Sequence, residues 1–135
     1  MNPFDLRAAL LAKHAQHVVL IHFPVALFLA AVAFDFLARW SRQKTLVLAA
    51  YYNLTAAAVM SLPVVATGLL AWRWQLQGPP LRGLLLQHFV MALISTLLIW
   101  IVWWCHRRAA RPPERPAPAW RLVLEAVSAL AVMST

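Results

Sequence analysis

Charged side chains are scarce in this chain. They make up 12% of its 135 residues, whereas hydrophobic residues make up 63%. A soluble globular domain has about 25% charged residues. The composition therefore excludes an ordinary soluble domain and favours a protein embedded in a membrane.

Cysteine is almost absent as well. Cys105 is the single cysteine, which excludes an intramolecular disulfide. It stands beside His106, but this pair has no neighbouring cysteine or histidine at the spacing of a zinc site. We therefore expect Cys105 to be a structural residue.

Long apolar runs dominate what the chain does contain. Three of them have the length of a transmembrane helix, and a fourth from Trp120 onward has 16 residues. At 1.5 Å per residue the fourth spans about 24 Å, less than the hydrocarbon layer of about 30 Å. We predict an all-α integral membrane four-helix bundle, one domain over 17–135, with a fourth helix that is short or truncated. The predicted spans are about 18–38, 46–70, 84–104 and 120–135.

The first 16 residues do not resemble a signal peptide. They are amphipathic and include Asp5, and the apolar run that follows is too long for the core of a signal peptide. We predict that 1–16 is an interfacial amphipathic segment lying on the membrane surface.

The net charge of +8 does not indicate a nucleic-acid-binding protein, because the basic residues lie between the apolar runs. Eight of them are in the first and third connecting segments and the start of the fourth run, and four are in the N-terminal arm and the second connection. Positively charged loops stay in the cytoplasm. We therefore expect both termini on the periplasmic side of a bacterial inner membrane.

Two features near the ends of the runs have simple interpretations. Asp35 lies one turn before Arg39, and we expect it to pair with Arg39 or Arg42 rather than to relay protons. Tryptophans near the ends of spans are typical of interfacial anchors. The predicted anchors are Trp40, Trp72, Trp74, Trp104 and Trp120.

Histidines near one end of two spans are the main functional candidates, since ionisable groups in a membrane must be paired or hydrated. His22 and His88 each lie about five residues into a span that enters from the same side. Facing helices that each contribute one imidazole can hold a b-type haem. We predict His22 and His88 as axial ligands of the haem iron, with His17 as an alternative ligand or supporting donor.

Three other interpretations of these histidines stay open. Each ring can simply hydrogen-bond a carbonyl, for example the one that Pro24 leaves without its helical donor. A quinol head group is another candidate ligand. A metal site for copper or zinc at His14, His17 and His22 is a further one, although His17 and His22 point about 140° apart on a straight helix.

The stretch around these histidines resembles a known family. "HVVLIHFPVA" (17–26) resembles the opening H-P-x-x-V-H-F-P-[IL]-A of bacterial membrane proteins called domain of unknown function 2231. "ATGLLAW" (66–72) resembles that family's T-G-x-x-D-W segment, and Asp35 and His88 match further polar positions. The resemblance covers about residues 15–105. Val18 and Ala71 depart from the family pattern, which has a proline and an acid at these positions.

The resemblance implies membrane electron transfer, because some relatives are joined to Rieske-type or c-type cytochrome modules. The family has no settled activity, so no catalytic residues are implied. We predict an electron-transfer subunit, not an enzyme by itself, that holds haem b near the periplasmic face. It would link redox partners, a cytochrome c or an iron-sulfur protein, to the quinone pool. The alternatives are a cofactor-free accessory or assembly subunit and a metal-binding membrane protein. Substrate transport is disfavoured, since no paired intramembrane charges are evident.

Overall fold

The computed structural model describes residues 13–75, 80–109 and 118–134, and these ranges form α-helices without any strand. Helix α1 is Lys13–Ser41, α2 is Lys44–Leu70, α3 is Gly83–Ala109 and α4 is Ala119–Met133. A π-helical segment, Ala71–Gln75, continues α2. The predicted all-α class is confirmed.

Three of the helices can cross a membrane by length and hydropathy. The candidate spanning segments are Gln16–Ser41, Lys44–Trp74 and Gly83–Arg108, and the predicted spans 18–38, 46–70 and 84–104 fall within them. Helix α4 has 15 residues, or about 22 Å at 1.5 Å per residue, in line with the expected short fourth helix. The orientation of the termini stays a prediction. Most of the predicted interfacial segment 1–16 lies outside the described residues.

A two-residue connection joins α1 to α2. Arg42 has a φ of +56°, the left-handed conformation that ends helices. Its N–H donates to the Ala38 carbonyl at 2.8 Å and so closes the last turn of α1. The short connection forces α1 and α2 to run antiparallel in close contact.

Small side chains let α1 and α2 approach each other closely. Ala31 on α1 and Ala50, Ala57 and Ala58 on α2 are buried. Small residues at an interface are the usual means of packing helices in a membrane, where lipid is as apolar as the side chains. The α1–α2 pair is therefore the most closely packed pair of the bundle, and α3 and α4 pack against it.

Replacing Ala57 by leucine should disrupt this contact. Ala57 is fully buried in the main core cluster, and extra methylene groups in a packed interior cost about 1–3 kcal/mol. We expect a lower temperature of unfolding in detergent, measured by circular dichroism. Ala33→Leu adds the same atoms at an exposed position of α1 and should leave the temperature unchanged. Equal unfolding temperatures for both variants would contradict this packing.

The two ends of the bundle carry different polar residues. At one end, called here the His17 end, α1 begins, α2 ends and α3 begins. At the other, called here the Asp35 end, α1 ends, α2 begins, α3 ends and α4 begins. Each end holds a candidate site.

Candidate ligand-binding cleft and buried ion cluster

His17 and His88 face each other at the His17 end. His17 is the fifth residue of α1 and His88 the sixth of α3. Their ring centroids are 6.5 Å apart, with the ring planes at 84°. Two imidazoles from different helices are thus brought to one place.

Thr67 orients the ring of His17. The Thr67 hydroxyl donates to the Pro63 carbonyl at 2.9 Å, with the Val64 carbonyl at 3.0 Å, so its single proton points into its own helix. His17 Nδ1 lies 3.3 Å from Thr67 Oγ1, which can then only accept. This arrangement places the proton of neutral His17 on Nδ1 and the lone pair on Nε2.

Gly68 makes room for the same ring. A Cβ at position 68 would lie 2.9 Å from Cε1 of His17 and 3.4 Å from both ring nitrogens. The first of these distances is shorter than ordinary contacts of a Cβ atom allow. The position of His17 therefore depends on a residue without a side chain.

A cleft of about 180 Å³ runs inward from the two histidines between α1, α2 and α3. Its lining is almost wholly apolar, and it is partly open at the surface of the bundle. The hydroxyl of Ser61 in the lining donates to the Ala58 carbonyl and accepts from the Trp100 indole. The Thr96 hydroxyl likewise donates to the Ala92 carbonyl. The two imidazoles are the ionisable groups of the cleft lining.

The structure does not bring His22 to His88. His22 is exposed, it does not line the cleft, and its Nδ1 donates to the Val18 carbonyl at 2.7 Å. Because five residues correspond to a rotation of about 140° on a helix, His22 points away when His17 faces the cleft. Of the predicted ligands, His17 and His88 are therefore paired.

The predicted tryptophan anchors divide into two groups. Trp72 is half-buried and lines the cleft. The others are exposed on the surface of the bundle, as an interfacial role requires, and Trp40 has 90% of its surface exposed. The exposed anchors are Trp40, Trp74, Trp104 and Trp120.

A buried ion cluster occupies the Asp35 end. Asp35 Oδ2 lies 3.0 Å from His106 Nε2 and accepts from Arg121 Nη2 at 3.1 Å. Arg121 Nε donates to Glu125 Oε1 at 3.1 Å. Each of the four residues is 1–3% exposed. Asp35 thus pairs with groups on α3 and α4, in place of Arg39 or Arg42, and the expectation that paired intramembrane charges are lacking is wrong.

A family model described as "Predicted membrane protein (DUF2231)" matches residues 13–135. The chain belongs to the DUF2231 family. The resemblance seen over about residues 15–105 is thereby confirmed, and the match also covers α4 with Arg121 and Glu125. Neither the curated proteins nor the solved structures include a match to this DUF2231 chain.

The DUF2231 chain does not show the predicted three-histidine metal site in its described part. Within residues 13–75, 80–109 and 118–134, no three His, Cys, Asp or Glu side chains cluster in a way that suits a metal ion. The side chain of His14, part of the alternative metal site, lies outside the described residues.

Proposed function

We propose that this protein is the membrane subunit of a redox complex and binds the head group of a quinone or quinol in the cleft. The observation that supports this function is the His17–His88 pair at the mouth of an apolar cleft. Ligand sites in proteins combine such apolar walls with a few convergent polar groups.

The volume of the cleft suits one six-membered ring. A cavity of about 150 Å³ in another protein holds a benzene molecule. The cleft here, at about 180 Å³, is slightly larger and is open on one side. A substituted quinone ring can occupy it while the isoprenoid tail extends through the opening into lipid.

The chemistry of the two imidazoles suits the polar edge of that ring. With its proton on Nδ1, His17 presents a lone pair on Nε2 that can accept the O–H of a quinol. Once protonated, the same nitrogen becomes a donor to the carbonyl oxygen of the quinone. Oxidation of a quinol to a quinone releases two protons and two electrons. His17 would take one proton and His88, from the other side, would take the second, while the two electrons pass to a partner, a cytochrome c or an iron-sulfur protein.

A b-type haem suits the cleft less well. Two imidazoles that bind one iron have their ring centroids about 6 Å apart, since each metal–nitrogen bond is about 2 Å long and each nitrogen lies at the edge of its ring. The 6.5 Å between the centroids of His17 and His88 is close to this distance. However, pockets that enclose a whole drug-sized ligand have about 300–1,000 Å³, so a cleft of about 180 Å³ has room for a single-ring head group and not for a macrocycle of four rings. To admit the macrocycle, α3 would have to move away from α1 and α2. Haem ligation by His17 and His88, or by His22 and His88, stays a prediction.

Binding of a short-chain quinone to the detergent-purified protein tests the proposal. We expect His17→Leu and His88→Leu each to weaken binding about 5–10-fold, because each removes one hydrogen bond worth about 1 kcal/mol. Quenching of tryptophan fluorescence measures the binding, since Trp72 lines the cleft. Quinone extracted from the purified protein gives a second measurement.

The matched control is His22→Leu, which removes an exposed imidazole from the same helix. Its quinone affinity should equal that of the unmodified protein. Equal affinities for all three variants would refute the cleft as a quinone site and favour a cofactor-free accessory subunit. A reduced-minus-oxidised spectrum with a Soret band that His17→Leu abolishes would identify haem as the ligand instead.

A further inference from the structure

The buried ion cluster at the Asp35 end contains polar atoms without partners. Four buried side-chain atoms have no hydrogen-bond partner among the described residues: Asp35 Oδ1, His106 Nδ1, Glu125 Oε2 and Ser128 Oγ. Ser128 is fully buried and follows Glu125 by three residues, so it lies on the same face of α4. Unpartnered polar atoms in an interior are costly, and four in one cluster call for an explanation.

The charges of the cluster do not balance. Asp35 and Glu125 each carry one negative charge when ionised, and Arg121 is permanently positive. With a neutral His106 the net charge is −1. A net charge in a low-dielectric interior is strongly disfavoured, so the cluster gains stability by binding one proton.

The hydrogen-bonding atoms of the cluster also indicate that one proton is lacking. His106 Nε2 faces a carboxylate oxygen and therefore carries the ring proton, which leaves Nδ1 as an acceptor. The unpartnered atoms are then three acceptors, namely Nδ1 and two carboxylate oxygens, and one donor, the Ser128 hydroxyl. One added proton turns an acceptor into a donor and gives two of each.

We infer that this cluster is a proton-binding site, which takes up one exchangeable proton from the water on the Asp35 side of the membrane. The proton adds to a lone pair of His106, Asp35 or Glu125, and the net charge changes from −1 to 0. The carboxyl groups of Asp35 and Glu125 are both bonded to the guanidinium of Arg121, so either of them can hold the proton.

Every helix of the bundle contributes a titratable or charged group to the site. Asp35 comes from α1, His106 from α3, and Arg121 and Glu125 from α4. From α2, the ring of Tyr51 packs 5.7 Å from that of His106. Uptake of a proton here thus changes the electrostatic interactions of groups on all four helices.

The cluster lies close to the aqueous phase. His106 is three residues before the end of α3, and Arg121 is two residues after the start of α4. These separations correspond to less than one helical turn. On α2, the half-buried Tyr51 stacks against Tyr52, which is 67% exposed. We place the entry of the proton at these helix ends, at the opposite end of the bundle from the cleft.

Proton uptake by the detergent-purified full chain between pH 9 and pH 6 tests this inference, with circular dichroism to confirm the fold at both pH values. Glu125→Gln and Asp35→Asn each bring the cluster to zero charge without a proton. We expect each variant to take up one proton fewer per molecule than the unmodified protein. His106→Gln leaves the charge at −1 and should keep the uptake of the unmodified protein.

Glu114→Gln is the control for loss of a carboxylate. Glu114 belongs to a polar, proline-rich stretch of the sequence, so its loss should leave uptake over this pH range unchanged. If the cluster is purely structural and its protonation does not change between pH 9 and pH 6, all variants should take up the same number of protons. That result would overturn the inference.

If Glu125→Gln and Asp35→Asn do not fold, spectra of the unmodified protein test the inference. Infrared and ¹⁵N-histidine spectra must then show a protonated carboxyl or a charged His106 at pH 6 that is missing at pH 9. The lack of both would equally overturn the inference.

Discussion

Replacing Arg121 by methionine is expected to lower the free energy of unfolding by about 3–5 kcal/mol, the usual cost of removing one partner of a buried ion pair. Arg121 is 3% exposed and donates to both Asp35 and Glu125. Methionine has a similar length but no charge, so two carboxylates would share a site without a cation. Unfolding in mixed micelles, followed by circular dichroism, measures the effect.

A second substitution should restore part of this loss. At pH 9, where the cluster holds no added proton, Arg121→Met gives the cluster a charge of −2, and Arg121→Met with Glu125→Gln gives it a charge of −1. Residues in one ion-pair network are energetically coupled, so the double variant should be more stable than Arg121→Met alone. If it is less stable instead, packing rather than charge accounts for the role of Arg121.

Arg108→Met serves as the control for loss of a cation. Arg108 is exposed, with its guanidinium 4.8 Å from the centre of the Trp104 ring. Exposed contacts of this kind contribute about 0.5–1 kcal/mol. A loss at Arg108 as large as that at Arg121 would show that burial is not what makes the cluster important.

Hydropathy alone was sufficient to predict the three long helices. The predicted spans 18–38, 46–70 and 84–104 lie within or close to the bounds of α1, α2 and α3. Helices α1 and α3 are longer than their apolar runs at both ends, because polar residues continue the helical hydrogen bonds beyond the apolar stretch. Helix ends were therefore less predictable than the existence of the helices.

The pairing of His88 could not be predicted because it depends on the rotation of α1. His17 and His22 stand near the same end of one helix, and only one of them can face α3. The packing of α1 against α2 sets that rotation. The segment "ATG" (66–68) could have indicated that His17 is the histidine that faces the cleft. Thr67 bonds to His17, and Gly68 leaves space for its ring.

The ion cluster was missed for a different reason. Asp35 is 71 residues from His106 and 86 from Arg121, and a search for partners near Asp35 in the sequence finds only Arg39 and Arg42. A local signal did exist. Arg121 and Glu125 are spaced four apart in an apolar helix, as in an ion pair on one face. Charged residues in an apolar membrane helix usually face the interior of the bundle, so this pair indicated a polar site between the helices.

Replacing Gly68 by leucine should abolish quinone binding, more completely than the loss of either histidine. A Cβ alone at this position would lie 2.9 Å from the His17 ring, and the further carbons of leucine extend into the cleft that Gly68 lines. His17 would have to rotate away from His88, and the space for the ligand ring would be filled. Titration with a short-chain quinone should show no saturable binding.

The same substitution should leave the fold intact. The contact is with a movable side chain rather than with backbone, and leucine is a better helix former than glycine by up to about 1 kcal/mol. Gly68→Ala should give a smaller loss of binding, because it adds only the Cβ. The control is Ala66→Leu, an exposed position two residues earlier on α2, which should bind as the unmodified protein does. Undiminished binding by folded Gly68→Leu would show that the quinone lies elsewhere, since no ring can occupy the cleft together with this side chain.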